Sequence, residues 1–579
     1  MGGPTHAPRV LLGENAHLRT LGDCVTIALR PVKLKIESDV DPRSRLKTRS
    51  AFFLSNQFWL IFSSMNWLVK ISLRKPFAAT TTITILLAST FTAIPLYATG
   101  VVIASASPLF HPAISEWYYL SSGATPPSQA ACNAVGRRCF NPAAMTVSYN
   151  YASVLSAGNQ GQGTTIAVVD SFGSSTIRTD LNVFDNAFGL QHLCGEDGVT
   201  CTPGMPTFNI LEVQGSPPPN PPPQNSGTGI QNHNLWALEV SLDVEWAHAT
   251  APKANILLVT TPTAETLGVP GLPEMMNAIQ FVVDNHLANV ISMSFGTGEG
   301  AFNSGLPSLL QLRQAFVDAQ ANHITLLASS GDGGTANIML TPITNPDLIP
   351  YPSVGWPASD PLVTAVGGTY LCTNPVTGSM TADDSMPPVQ CTNHPGVREA
   401  GWVASGGGYS ILFRRPDYQN ALPPGSTYVG SSIGAPGPNS NMRGVPDIAY
   451  QASARTGVLV YMSEGATSTS GTGCGGANPC SVGWYTVGGT SSSSPQWAGL
   501  IAIADQIAGH NLGFINPALY SIANQPAHYA ADFNDITVNC NQQDPSIPGY
   551  CASTGWDAVT GLGSPNVANL LPDLIAASS

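Results

Sequence analysis

Residues 289–334 read NVISMSFGTGEGAFNSGLPSLLQLRQAFVDAQANHITLLASSGDGG. Two short apolar runs, Asn289–Phe295 and Ile324–Ser330, bracket the stretch Ser308–His323, whose apolar residues fall at helical spacing. Continuous rather than alternating apolar strands predict burial on both faces, as in a parallel sheet with helical crossovers. The pattern extends upstream. Thr164–Asp170 (TTIAVVD), Thr207–Val213 and Ala254–Thr261 predict strands, while Ser175–Leu190, His233–Ala249 and Leu272–His286 predict helices. The predicted fold class is α/β, a mostly parallel central sheet with helices on both faces. Ligands of such sheets sit beyond the C-terminal ends of the strands. At those ends stand Asp170-Ser171, Ser294-Phe295-Gly296 and Ser329-Ser330-Gly331-Asp332-Gly333-Gly334.

The chain has 579 residues, 43% of them hydrophobic and 10% charged, with a net charge of -13. That excludes disorder over most of its length and disfavours nucleic acid or an anionic membrane surface as a partner. The charge is unevenly spread. Residues 1–106 hold 12 of the 22 Lys and Arg and 5 of the 35 Asp and Glu, leaving 10 basic and 30 acidic side chains for residues 107–579. A body so acidic, with Lys253 as its single lysine, suits work in acid, where protonation relieves self-repulsion. Solubility alone would account for it equally.

From Phe77 to Ser115 no residue is charged, and Lys70, Arg74 and Lys75 stand just before. Ile83–Leu96 followed by Ala104-Ser105-Ala106 has the order of a secretory apolar region and its small-residue cleavage site. Met65 stands where such a signal begins, so residues 1–64 are expected to be an upstream over-extension and 65–106 the signal peptide. A retained membrane anchor over 77–103 is the alternative. Residues 107–145 are rich in Pro, Ala and Ser and are expected to be a spacer before a domain over 146–579. Apart from Cys24, the cysteines form near neighbours: Cys132/Cys139, Cys194/Cys201, Cys372/Cys391, Cys474/Cys480 and Cys540/Cys551. Even local pairing predicts disulfides and hence export, whereas zinc would call for Cys-x-x-Cys spacing or a nearby His.

Three segments carry candidate chemistry. In Gly488-Gly489-Thr490-Ser491-Ser492-Ser493-Ser494-Pro495, a serine enters a helical stretch, Leu500–Gly509, beside backbone N–H donors; Pro495 suits the first turn. A plain helix cap would look the same. On the predicted helix, Glu239 and Asp243 share one face at i and i+4; buried together they would share a proton and supply a base. A solvated face is the ordinary reading, and Glu245, on another face, is expected to be solvated. Asp332 follows a strand, where a carboxyl group helps an oxyanion only when protonated. In isolation it is an Asp-Gly turn.

Taken together, these segments resemble the sedolisin, or serine-carboxyl peptidase, family, whose fold is subtilisin-like. The resemblance spans roughly Met145–Leu574 and includes Gly489-Thr490-Ser491 with Pro495, Glu239-x-x-x-Asp243, Ser330-Gly331-Asp332-Gly333, Ala365-Val366-Gly367-Gly368-Thr369 and Arg443-Gly444-Val445-Pro446-Asp447. It implies Ser491 as nucleophile, Glu239 as general base and acid, Asp243 as its orienting partner and Asp332 as oxyanion donor. Asp170 stands where relatives often carry a supporting Glu. A subtilisin-type triad is the nearest rival, but it needs a His at the Glu239 helix and an Asn at Asp332; His233 and His248 fall outside that pattern. A non-catalytic protein on the same scaffold is the rival from another class, and it would be expected to lack one of these four residues.

The resemblance also implies one structural Ca²⁺, held by Asp535, Ile536, Ser553, Gly555 and Asp557, an oxygen-only set. Relatives usually carry a long prodomain, whereas only residues 107–145 separate the expected leader from the domain, so either the enzyme folds without an inhibitory prodomain, or one is supplied separately or lost from the frame. The implied activity is acid peptide-bond hydrolysis by a secreted, monomeric enzyme acting on protein or peptide substrates.

Overall fold

The computed structural model describes strand segments between 17 and 87 and at 111–112, then residues 116–578 except 214–232, 262–271, 303–304, 340–346, 381–386, 421, 423–440 and 465–480. The chain divides into two units, Met1–Val102 and Ile103–Ser579. In the first, six antiparallel strands pair in the order His17–Leu21, Cys24–Leu29, Thr81–Leu87, Trp67–Leu73, Gln57–Phe62, Ala51–Leu54. The expected leader, 65–106, contributes two of these strands, and its remaining residues lie outside the described ones. Among the described residues no helix is long and apolar enough to cross a membrane.

The second unit is built in chain order from β1 (Glu116–Ser121), β2 (Thr165–Ser171), α1 (Ile177–Phe188), β3 (Phe208–Glu212), α2 (His233–Thr250) and β4 (Asn255–Thr261). Then come α3 (Leu272–Asp284), β5 (Val290–Met293), α4 (Gln314–Ala321), β6 (Thr325–Ser329), β7 (Thr364–Leu371) and β8 (Glu399–Gly401). The last elements needed to place the site are β9 (Ile448–Gln451), β10 (Val458–Met462), β11 (Gly483–Gly488) and α5 (Thr490–Ala508). The central sheet runs β3-β4-β2-β5-β6-β7, all parallel, with β8 antiparallel and β9 parallel to β7.

The continuous apolar strands have the cause their sequence implies. Ile166, Val168, Ile256 and Leu258 point into one core with α2 and α5, while Ala167, Val169, Leu257 and Val259 point into another with α3 and α4. Alternate residues thus serve opposite faces, and neither face meets water. The helix expected over Ser308–His323 is split into Leu306–Leu310 and Gln314–Ala321.

Residues 107–145 are not a free spacer. Strand β1 pairs antiparallel with β11, and His111–Pro112 pairs with Phe295–Gly298. The buried Arg138 donates to the carbonyls of Leu371 and Thr373. Phe140, Ala144 and Met145 are buried in the core that also holds α2 and α5, with Trp117, Tyr119 and Leu120 packed against it; composition alone does not report where such scattered apolar residues dock. Disulfides close Cys132–Cys139, Cys194–Cys201, Cys372–Cys391 and Cys540–Cys551; the expected Cys474/Cys480 pair lies outside the described residues.

Helices α2 and α5 cross at Gly499. A Cβ there would sit 2.7 Å from Thr250 Cβ and 3.2 Å from the Ala247 carbonyl. Thr250 cannot swing away cheaply, because its hydroxyl donates to the Trp246 carbonyl at 2.9 Å. Gly499→Ala would gain roughly 0.5–1 kcal/mol of helix preference but meet an overpacking cost of about 1–3 kcal/mol. The clash is expected to win, lowering stability by about 1–2 kcal/mol in urea unfolding; a stabilised variant would contradict the close crossing.

Candidate active site

The site collects at the C-terminal edge of the parallel strands. Strand β2 delivers Asp170, β5 leads to Ser294, β6 leads to Ser330 and Asp332, and β11 leads through Gly489 to Ser491. Gly489 has φ 132, a conformation that L side chains avoid, and it turns strand directly into helix. Helix α5 therefore begins at Thr490, which puts Ser491 in its first turn. Pro495 falls inside the helix, beyond the first turn its sequence suggests.

From Trp236 to Thr250 every residue of α2 is buried, so Glu239 and Asp243 are not on a solvated face. Helix α5 covers one side, α1 another, and β10 a third, where the Trp246 indole donates to the Leu459 carbonyl. Glu245, expected in solvent, is also fully buried and accepts a 3.1 Å hydrogen bond from the Tyr461 amide. A helical wheel shows which residues share a face, but not that several elements wrap the whole helix.

Burial governs the acids. It pushes Glu239 well above the ordinary carboxyl range, with the charges of Asp243 and Asp170 adding to the rise. Asp243 is raised by burial and by Asp170, and Asp170 is itself pushed up to about 8 by burial. The Ser491 hydroxyl opposes the rise at Glu239, and the Ser294 hydroxyl opposes it at Asp243, although neither reaches well-formed hydrogen-bond geometry. The carboxylate oxygens of Asp170, Glu239 and Asp243 likewise make no well-formed hydrogen bond. Asp332 also adds to the electrostatic environment of Glu239.

Asp332 is fixed through Oδ1, which accepts from the Thr490 amide at 2.7 Å and its hydroxyl at 2.9 Å. The Thr490 hydroxyl oxygen also accepts from the Gly331 amide at 3.0 Å. Gly406 presses on this turn so closely that a Cβ would overlap the Ser330 carbonyl, and its amide donates to Gly331 at 2.7 Å. All four predicted site residues and Asp170 thus come together. Sequence reasoning missed Thr490 and Ser294 as positioning groups; each could have been found as the hydroxyl residue adjoining a named strand end.

The second predicted site lies apart from these residues in sequence, on two segments joined by the Cys540–Cys551 bridge. Asp557 is buried and accepts from the amides of Ser553, Val559 and Thr560; Asp535 accepts from the Gly555 amide and the Tyr529 hydroxyl. Two partly or wholly buried carboxyls facing one loop, with the backbone of Ile536, Ser553 and Gly555 alongside, fit an oxygen-only cation site.

The chain matches the subtilase family over residues 227–516, half its length. It is similar to kumamolisin of Bacillus sp. (strain MN-32), 29% identical over 432 residues that make up 73% of this chain and 62% of that protein. It is similar to tripeptidyl-peptidase 1 of Homo sapiens, 26% identical over 371 residues, 60% of this chain and 53% of the relative. The chain therefore spans less than two thirds of the length of these curated relatives. Among solved structures it is similar to Pseudomonas sedolisin, a serine-carboxyl proteinase complexed with two molecules of pseudo-iodotyrostatin. The TM-score is 0.53 at 26% identity, covering 75% of this chain and 98% of that one.

Acids raised by burial bind protons more tightly folded than unfolded. Their contribution to stability is complete below the unfolded carboxyl range, near 4, and is lost as pH rises through the folded value. For Asp170 that window closes at about 8. The melting temperature is expected to fall by at least about 5 °C across it, and Asp170→Asn to flatten the fall. Calorimetry over that range gives the answer; a melting temperature that climbed with pH would reject the buried-acid reading.

Proposed function

The chain belongs to the subtilase family, on its sedolisin-type serine-carboxyl branch, and from that membership and the site geometry we propose that it is an acid-acting serine endopeptidase. The observation that carries the proposal is the buried carboxyl array against Ser491: the groups acting on Glu239 are Asp243, Asp170, Ser491 and Asp332. The subtilisin-type alternative needs an imidazole as base. His248 is instead turned to Asp185, at 3.2 Å, further along α2.

In the proposed mechanism the protons of the array rest on Asp243 and Asp170 and Glu239 starts as the carboxylate, so that Ser491 Oγ attacks the scissile carbonyl carbon as its proton passes to Glu239. The tetrahedral oxyanion is stabilised by a protonated Asp332, oriented through Thr490, and by amides at the start of α5. Glu239 returns the proton to the leaving amine, giving an acyl-enzyme on Ser491 and the first product. Water, deprotonated by Glu239, then attacks the ester; the acid is released and Ser491 recovers its proton. Asp243 and Asp170 shape the affinity of Glu239 for its proton. Loss of the Asp332 proton as pH rises would replace an oxyanion donor with a negative charge, so the activity belongs to acid.

Protein or peptide substrates, supported by family membership, and a secreted location, supported by four local disulfides, complete the reading, together with a monomeric state. The leader assignment of 65–106 remains part of the proposal. Asp535 and Asp557, with the carbonyls of Ile536, Ser553 and Gly555, would hold a Ca²⁺ that fixes the C-terminal loop rather than taking part in the chemistry.

Casein digestion across pH tests the function. Ser491→Ala is expected to abolish turnover with the fold intact, and Asp332→Ala to lower kcat about 10²–10³-fold; turnover surviving in Ser491→Ala would remove the assignment. Chelation is expected to lower the melting temperature by several degrees, and Asp535→Asn to remove that response. A chelator-insensitive wild-type protein would eliminate the calcium site.

A further inference from the structure

The far end of α2 carries a second buried polar group that the proposed peptidase chemistry does not use. His248 stands nine residues beyond Glu239, roughly 13 Å along the helix axis. It is fully buried, as is Asp185 in the last turn of α1. Gly189, with φ 66, caps α1 and turns the chain back, and the loop that follows brings His192 and Glu196 to the same point. The Cys194–Cys201 disulfide ties this loop down.

The donor atoms converge. His248 Nε2 lies 3.2 Å from Asp185 Oδ2, and His192 Nδ1 lies 3.9 Å from Asp185 Oδ2 and 2.6 Å from Glu196 Oε2. Donor atoms of Asp185, His192 and Glu196 all fall within 4.8 Å of one another. Despite this closeness, neither His248 ring nitrogen and neither Asp185 oxygen makes a well-formed hydrogen bond. His248 and Asp185 thus face each other as a close buried pair, beside the His192–Glu196 pair. Asn182 Nδ2 donates to Glu196 Oε2 at 3.1 Å, and the Leu193 amide donates to Glu196 Oε1, fixing the carboxylate from outside.

We propose that Asp185, His192, Glu196 and His248 form a binding site for a zinc-type divalent cation. Two imidazoles and two carboxylates are a tetrahedral N₂O₂ set, in contrast to the oxygen-only set at Asp535 and Asp557. Bonds of about 2.0–2.1 Å place tetrahedral donors roughly 3.3 Å apart; Asp185, His192 and Glu196 lie within 4.8 Å of one another, and His248 joins them through Asp185, at 3.2 Å. The ion neutralises two carboxylates otherwise buried together. His192, with 32% of its side chain exposed, supplies the way in. Bound there, the ion would pin the disulfide loop to α1 and α2, making the site structural.

The chelator-stripped full chain, titrated with Zn²⁺ alone at neutral pH, is expected to bind one equivalent with a rise in melting temperature. Co²⁺ should give the intense visible bands of a tetrahedral site. His192→Ala, at a partly exposed position, should weaken zinc binding by more than ~10-fold, the loss even an outer-shell partner can cause. Asp535→Asn should leave it unchanged. A wild-type chain that takes up no zinc, a weak octahedral cobalt spectrum, or zinc retained equally by His192→Ala would overturn the site, leaving a hydrogen-bonded His–carboxylate cluster.

Discussion

Three carboxyl groups, Asp170, Glu239 and Asp243, sit fully buried where the parallel strands end, and the architecture of that edge follows from having to keep them there. An ionised carboxylate in a dry interior costs many kcal/mol unless it is paired, so such groups respond by holding protons. What surrounds them is consistent with that response: hydroxyls of Ser294, Ser491 and Thr490 and a further acid, Asp332, rather than lysine or arginine. The array can be dry only because α2 is enclosed on every side. That enclosure depends on α5 approaching closely enough for Gly499 to touch Thr250 and Ala247.

The positive end of the α2 dipole could be expected to favour an ionised Glu239, which lies in its early turns. Magnitudes decide otherwise. A helix terminus contributes about 0.3–1 kcal/mol, reaching ~2 in partly buried settings, and it fades beyond the first turn. Burial, reinforced by two neighbouring acids, is the larger effect, and Glu239 is accordingly raised. The acidic balance of residues 107–579 belongs with this: a surface poor in lysine loses self-repulsion as pH falls, in the same direction in which the buried acids become comfortable.

Much of this was legible in the sequence because apolar continuity reports burial on both sides of a strand. Thr164–Asp170 and Ala254–Thr261 could be placed within a residue or so, whereas the roles of Ser491, Glu239, Asp243 and Asp332 came from the family resemblance and not from periodicity. What periodicity does not report is what lies against a surface. Glu245 reads as solvated because its neighbours on the wheel are not all apolar, yet Tyr461 on β10 meets it from across the fold. Residues 107–145 read as a spacer because composition encodes neither the edge pairing of β1 with β11 nor the burial of Phe140, Ala144 and Met145 in the core. Disulfides were legible for a different reason, since local loop closure depends on little beyond sequence distance.

The same limit explains why the His192 cluster left no trace in the sequence. Asp185 and His248 lie on different helices, and His192 and Glu196 on a loop whose return depends on Gly189 at the end of α1. No spacing rule joins them; only the packing of α1 against α2 does. Once joined, they give α2 a chemical polarity along its length. Carboxyls occupy its earlier turns and an imidazole its last turn, where the exposed carbonyl ends of the peptide dipoles favour positive charge. A cation held by His248 would sit at the end of α2 where the dipole stabilises it, whereas at Glu239 it would compete with the proton on which the carboxyl array depends. The two ends of one buried helix can therefore hold opposite chemistries without interfering, provided the body of the helix stays dry.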